Sequence, residues 1–186
     1  MSRQLHLNLF LMARGHHEGA WRHPGANPKA LTDLELYVDA ARIAENAKFD
    51  AVFLADTLVG PENSQLVASG LLEPITLLTA LALKTERIGL IGTASTTYSH
   101  PYTLARQFAT LDHISKGRAG WNIVTSWAPK AGENYGLTEN VDHADRYRIA
   151  QEFVEAVDAL WRSFPASSIV DDAASGQFLD IGQVRP

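Results

Sequence analysis

Four places in this 186-residue chain set polar side chains directly behind apolar runs. The fullest is Arg118-Ala-Gly-Trp-Asn-Ile-Val-Thr-Ser-Trp127. Its β-branched Ile123 and Val124, with the large Trp121 and Trp127, predict a buried strand. Asn122, Thr125 and Ser126 crowd the end of that strand. Asp56 stops the apolar run from Ala51 to Ala55, Thr93 closes Ile88-Gly-Leu-Ile-Gly-Thr93, and His16 and His17 stand in the loop after Leu5 to Leu11. His143 and Tyr147 are four residues apart at the start of a helix, hence on one side of it. A helix start also suits an anion such as phosphate. Polar groups at the carboxyl ends of parallel strands are where an α/β sheet meets its ligand. A histidine there titrates near neutrality and can hold or release a proton.

Each residue also has a plainer reading. Asp56 can cap a turn and Thr93 can be structural in a Gly-Thr turn. His143 can be an ordinary residue of a helix N-terminus, and Tyr147 a core aromatic. What raises the functional reading is that a (β/α) barrel would put all of them on one rim. Metal chemistry fits poorly. Adjacent histidines such as His16 and His17 rarely converge on one ion, His6 is followed two on by Asn8, and neither His-Glu-x-x-His nor a carboxylate cluster occurs. No metal site is expected. Gly-x-Ser-x-Gly and the Gly-x-x-x-x-Gly-Lys-Ser/Thr phosphate loop are absent too.

The elements that would position these groups follow a β-then-α rhythm. Thr32 and Glu35 read as a capping box, ahead of Leu34, Tyr37, Val38, Ala41 and Ala44 at helical spacing. Ala51 to Ala55 is a continuous apolar run, the mark of a buried parallel strand. Residues 57–73 form a longer connection rich in Gly, Pro, Asn and Ser. Pro74 and Pro101 open two helices, the second carrying Leu104, Phe108 and Leu111 on one face and Gly117 at its stop. A helix from about Ala144 carries Ile149, Phe153, Val157 and Leu160. Phe178 to Ile181 is at best a short strand. Four strands with helical crossovers predict a parallel sheet, half of an eight-stranded (β/α) barrel of the TIM type. A half-barrel leaves strand edges open, so the chain reads as truncated, or as one half of something assembled, and is expected to self-associate as a homo-oligomer.

Composition narrows the partners. The chain is 46% hydrophobic and 20% charged, with a net charge of -5 and no Lys/Arg run, which gives no support for nucleic acid or an anionic membrane. It has no cysteine, which excludes disulfides and thiolate sites and is compatible with the cytoplasm, the expected location. The apolar start, Leu5 to Met12, is interrupted by His6 and Asn8 and reads as a first strand, not a signal peptide. No apolar run approaches the roughly 20 residues of a membrane span.

Five segments together resemble the bacterial-luciferase-like flavin monooxygenases, in particular the nitrilotriacetate and dibenzothiophene-sulfone monooxygenase branch. They are Gly15-His-His-Glu-Gly-Ala-Trp-Arg-His-Pro24, Phe53-Leu-Ala-Asp56, Gly92-Thr-Ala-Ser-Thr-Thr-Tyr98 with His100-Pro101-Tyr102, Arg118 to Ser126, and His143-Ala-Asp-Arg-Tyr147. The resemblance implies that residues 1–186 are the N-terminal part of a single TIM-barrel domain. It implies reduced FMN as cosubstrate with O2, delivered by a separate NAD(P)H:FMN reductase to oxygenate a small organic molecule. The flavin contacts would fall on Asp56, Thr93, Asn122, His143 and Tyr147, with His17 near the reacting end as the catalytic nominee. Trp21, Trp121, Trp127 and Tyr98 would border the site and exclude water. Two other readings stay open: a non-catalytic half-barrel that acts as an association module, and a deazaflavin-dependent oxidoreductase.

Overall fold

The computed structural model describes residues 4–60, 72–139 and 141–185; of the connection expected over 57–73, positions 61–71 lie outside them. Four parallel strands, β1 (Asn8–Phe10), β2 (Ala51–Leu54), β3 (Gly89–Ser95) and β4 (Ala119–Val124), stand side by side in chain order. They are connected through α1 (Leu34–Asn46), α2 (Pro74–Ala82) and α3 (Pro101–Ser115), and α4 (His143–Ser163) follows β4. This is the arrangement of one part of a (β/α) barrel. The expected short strand exists as β6 (Gln177–Leu179), paired antiparallel with β5 (Ile169–Asp172), which the sequence pattern did not reveal.

Three of the four α-helices begin where a side chain meets free N–H groups, and α3 begins on Pro101 with no side-chain cap. Glu73 accepts from Ile75 N (2.9 Å) and Thr76 N (2.7 Å) ahead of Pro74, so α2 starts on a carboxylate and a proline together. Asp142 caps α4 through Ala144 N at 2.9 Å. For α1 the cap is Asp33, which accepts from Glu35 N at 3.3 Å, and not Thr32. Asn27 holds the other Asp33 oxygen at 2.8 Å, which fixes Asp33 as the cap. The stop of α3 begins one residue before Gly117, since Lys116 already has a φ of 61°.

The helices cover one face of the sheet. Val52, Leu54, Leu90 and Ala94 are buried there, with Val38, Leu78, Leu81, Leu104, Leu111 and Val157 from the helices. Burying each of the Val and Leu side chains stabilises the fold by about 1.5–3 kcal/mol. Gly92 lies where a Cβ would stand 2.9 Å from the Leu78 side chain, so α2 packs directly on the β3 backbone. The other face carries a row in register, Phe10, Phe53, Ile91 and Gly120. Phe10 and Phe53 rings lie 4.8 Å apart on it, and Phe10 is 38% exposed. The buried strand expected over 118–127 is therefore half-buried: β4 is an edge of the sheet, and Ile123 is 47% exposed.

The amino end of the sheet is held by two charged groups. Arg118, at the start of β4, spends all five guanidinium N–H bonds on its surroundings. They reach Ser115 O (2.7 Å), Thr85 Oγ1 (3.0 Å), Ile88 O (2.9 Å), Ala82 O (2.9 Å) and Thr85 O (3.1 Å). Ala82 and Ser115 end α2 and α3, where carbonyls lack helical partners and the helix dipole favours a cation. Glu45 does the converse. One of its oxygens accepts from Glu86 N, Arg87 N and Ile88 N at 2.9, 2.6 and 2.9 Å.

Arg118→Lys, with three donors in place of five, is expected to lower stability by about 3 kcal/mol, read as a shift of the urea midpoint. Burial alone would raise the Glu45 carboxyl, but the N–H groups of Arg87, Ile88 and Glu86, with the Arg87 charge, outweigh it and hold it below the usual range. Its stabilising effect is thus complete above the unfolded pKa of about 4.3 and vanishes as pH falls through the lower folded value. Glu45→Gln is expected to be destabilised at neutral pH, and the gap to the parent should close in acid unfolding below that point.

Candidate functional site

At the opposite, carboxyl end of the sheet an open cleft of about 540 Å³ runs from the end of β2 across β3 and β4 to the first turn of α4. That volume lies in the range of small-molecule sites. Asp56, Thr93, Asn122, His143 and Tyr147 all line it. Thr93 sits inside β3 and not after it, because the strand runs on to Ser95.

Thr93 and Asn122 are opposite each other in the β3–β4 register, and a directed hydrogen-bond chain joins them. The Thr93 hydroxyl donates to Leu54 O at 2.9 Å, and Asn122 Nδ2 donates to the Thr93 oxygen at 2.9 Å. A carbonyl can only accept, so the single Thr93 proton is committed to Leu54 and Asn122 must present its amino group. The Asn122 carbonyl oxygen is left as an acceptor on the cleft wall. The structural reading of Thr93 is correct as far as it goes: this buried hydroxyl ties β2 to β3. It also sets which end of Asn122 is free.

Hydroxyls lace the two exit loops beside it. Thr96 Oγ1 donates to Val124 O at 3.2 Å, Thr97 Oγ1 to Thr125 O at 2.7 Å, and Ser126 Oγ to Ser95 Oγ at 2.8 Å. Ser126 is held at a φ of 51°, in the left-handed region, a conformation that costs about 1–3 kcal/mol and concentrates at functional sites. Trp127, just beyond it, lines the cleft and is largely exposed. Trp121 does not border the cleft. It turns to the helix side, between Phe108 and Phe153 at 5.9 Å each, and donates to Ala94 O.

Asp56 is a half-buried carboxylate with its acidity weakened. Burial raises its pKa above the ordinary value, the Thr57 N–H opposes this, and the charge of Glu73 adds to the rise. Tyr135, from the 3-10 turn Pro129–Tyr135, is raised first by burial and then by the charges of Asp56 and Tyr98. Tyr98 and Tyr135 stack at 4.9 Å, and Asn134 donates to Leu58 O at 2.8 Å, so this turn is pinned over the β2 exit.

His143 and Tyr147 face each other on α4 with ring centroids 5.0 Å apart. Tyr147 is 58% exposed, which rules out the core reading. His17 is not brought to this cleft. It is exposed, and its Nδ1 accepts from Gly19 N at 3.0 Å within its own loop. Its neighbour His16 packs edge-on against Phe10 at 4.6 Å. Among the described residues no three metal-binding side chains cluster, and no helix is long and apolar enough to cross a membrane. Sequence reasoning passed over Tyr135 and Arg146, which have no strand-end position to mark them. The His143-x-x-Arg-Tyr spacing was the available signal for Arg146.

The comparisons with known proteins agree with this layout. The family model described as luciferase-like monooxygenase matches residues 9–184. Nitrilotriacetate monooxygenase component A of Aminobacter aminovorans is 43% identical over 189 residues, 95% of this chain and 42% of that protein. The crystal structure of a long-chain alkane monooxygenase superposes with a TM-score of 0.90 at 36% identity, covering 99% of this chain and 45% of that one. A riboflavin lyase, solved with modified FMN and riboflavin, has a TM-score of 0.86 at 35% identity, covering 98% and 43%. The chain thus spans less than half the length of the relatives it matches. With the family model covering nearly all of it and the parallel sheet superposing closely on these structures, the chain belongs to the luciferase-like monooxygenase family.

Proposed function

We propose that the cleft is the N-terminal half of a reduced-FMN site in an oxygenase that inserts one atom of O2 into a small organic substrate. A separate NAD(P)H:FMN reductase supplies the reduced flavin. The observation that carries this reading is the convergence of Asp56, Thr93, Asn122, His143 and Tyr147 on one cleft, together with a flavin-bound relative of the same fold. The residues present fit the group. A flavin ring has one N–H between two carbonyls, and the free Asn122 oxygen is an acceptor for such a donor. Reduced FMN, when bound, supplies the electrons that activate O2.

The protein's own part is orientation and exclusion of water. The Leu54–Thr93–Asn122 chain fixes the side-chain amide that β4 presents to the cleft, so little rotamer freedom would be lost there on binding. Asp56, with its raised pKa, can hold a proton at its carboxyl oxygen or give it up near the cleft floor. Trp127 and Tyr147 offer exposed aromatic surface for a planar ligand. Nothing in the lining is matched to one substrate, and the substrate stays at the level of a small organic molecule.

Anaerobic titration with reduced FMN tests the reading. A protein of the relatives' length is expected to bind it stoichiometrically and, with reductase, NADH and O2, to couple its oxidation to oxygenation. The 186-residue chain, with four strands of the rim, is expected to bind far more weakly, since each lost neutral hydrogen bond removes about 0.5–1.5 kcal/mol. Equal affinity in the two would show that the four-strand rim suffices. Asp56→Asn separates function from stability. A carboxyl whose folded pKa is raised costs stability once pH exceeds both its folded and unfolded values. The variant is therefore expected to melt higher than the parent at pH 7, equally at pH 3, and to bind reduced FMN more weakly.

A further inference from the structure

A second, smaller cavity of about 90 Å³ lies between the chain leaving β1, the end of β2 and the first turns of α1 and α2. Ala55, Asp56 and Thr57 line both it and the cleft, so the two spaces meet at the β2 end of the rim. Leu11, Leu54 and Leu77, all buried, form much of its wall. Two donors stand in this apolar lining. Arg14, four residues past the end of β1, has one arm of its guanidinium tied down, because Nη2 donates to Pro28 O. Its Nε–H is buried without an acceptor, and among the described residues no carboxylate pairs with it. The guanidinium is thus held in place with its charge unanswered. Tyr37, in the first turn of α1, is almost wholly buried, and among the described residues its hydroxyl makes no hydrogen bond. Burial alone raises its phenol above the ordinary value, so it stays a neutral donor.

A guanidinium donor buried without a partner is costly, and it calls for a group that completes it. One cation answers one negative charge. A carboxylate is planar, takes the guanidinium fork through parallel N–H bonds, and leaves no second charge against the leucines. A phosphate dianion would leave one, close to the carboxyl of Asp56. The leucine walls suit the first carbons of an aliphatic chain.

We propose that this cavity is a carboxylate subsite, in which Arg14 and Tyr37 hold the acid end of a short-chain organic acid whose remainder extends past Asp56 into the cleft. That the molecule held there is the one oxygenated rests on the flavin reading above, whereas the carboxylate contact itself does not.

The test is an NMR titration of the parent protein with butanoate and with butanamide, which has the same chain and no charge. Butanoate is expected to bind at least about tenfold more tightly, and Arg14→Gln to remove that advantage while leaving butanamide unchanged. Tyr37→Phe should weaken butanoate about threefold. Equal binding of the two probes by the parent overturns the proposal without any variant. So does inorganic phosphate competing with butanoate at equal concentration, which would make the site a general anion trap. If butanoate binds through Arg14 and reduced FMN does not bind, the carboxylate contact stands and the flavin reading fails. If reduced FMN binds and butanoate does not, the subsite alone is lost.

Discussion

The guanidinium of Arg118 is the point on which the helical layer turns. Two helices end against the amino edge of the sheet, and their last carbonyls would be left in a region that water reaches poorly. One side chain with five fixed donors answers them together with the backbone that enters β3. Glu45 answers the neighbouring N–H groups in the opposite sense. Burial weakens the hold of the Arg118 guanidinium on its proton, and the nearby Glu45 charge opposes that effect. Helix ends, strand starts and the register between them are thereby fixed by two residues.

That end of the sheet is complete in its hydrogen bonding, and the far end is deliberately not. At the carboxyl rim the hydroxyls of Thr93, Thr96 and Thr97 are bonded to backbone carbonyls and that of Ser126 to Ser95 Oγ. The groups left over are those that face the cleft: a carbonyl oxygen on Asn122, a weakened acid at Asp56, and the aromatic surfaces of Trp127 and Tyr147. In barrels of this type stability sits at one end and chemistry at the other. The division is visible here within four strands.

The sequence made the frame readable because its signals were local. Continuous apolar runs marked β2 and β3, and Pro74 and Pro101 marked two helix starts to the residue. Strand-end polarity pointed to Asp56 and Asn122 for the same reason, since position along a strand is a local property. What escaped depends on long-range contact. Arg118 read only as the head of a strand stretch, and nothing near Glu45 in the chain hints at three N–H groups more than forty residues away. The capping box at Thr32 failed because Asn27 made Asp33 the better cap. Trp121 was misplaced because alternation along β4 leaves open which face meets the helices. Ile123 was expected in a core that an edge strand does not give it.

The strand order has a consequence for how the molecule is made. Within the four-stranded sheet each strand after the first pairs with its immediate predecessor in the chain, so a polypeptide leaving the ribosome always finds its next neighbour there already synthesised. Parallel pairing is slow when partners are distant in sequence. Here, among the described residues, each crossover carries a single α-helix. The barrel half can therefore be laid down as a growing sheet, one βα unit at a time, with Arg118 arriving last to lock helix ends that were set in place before it emerged.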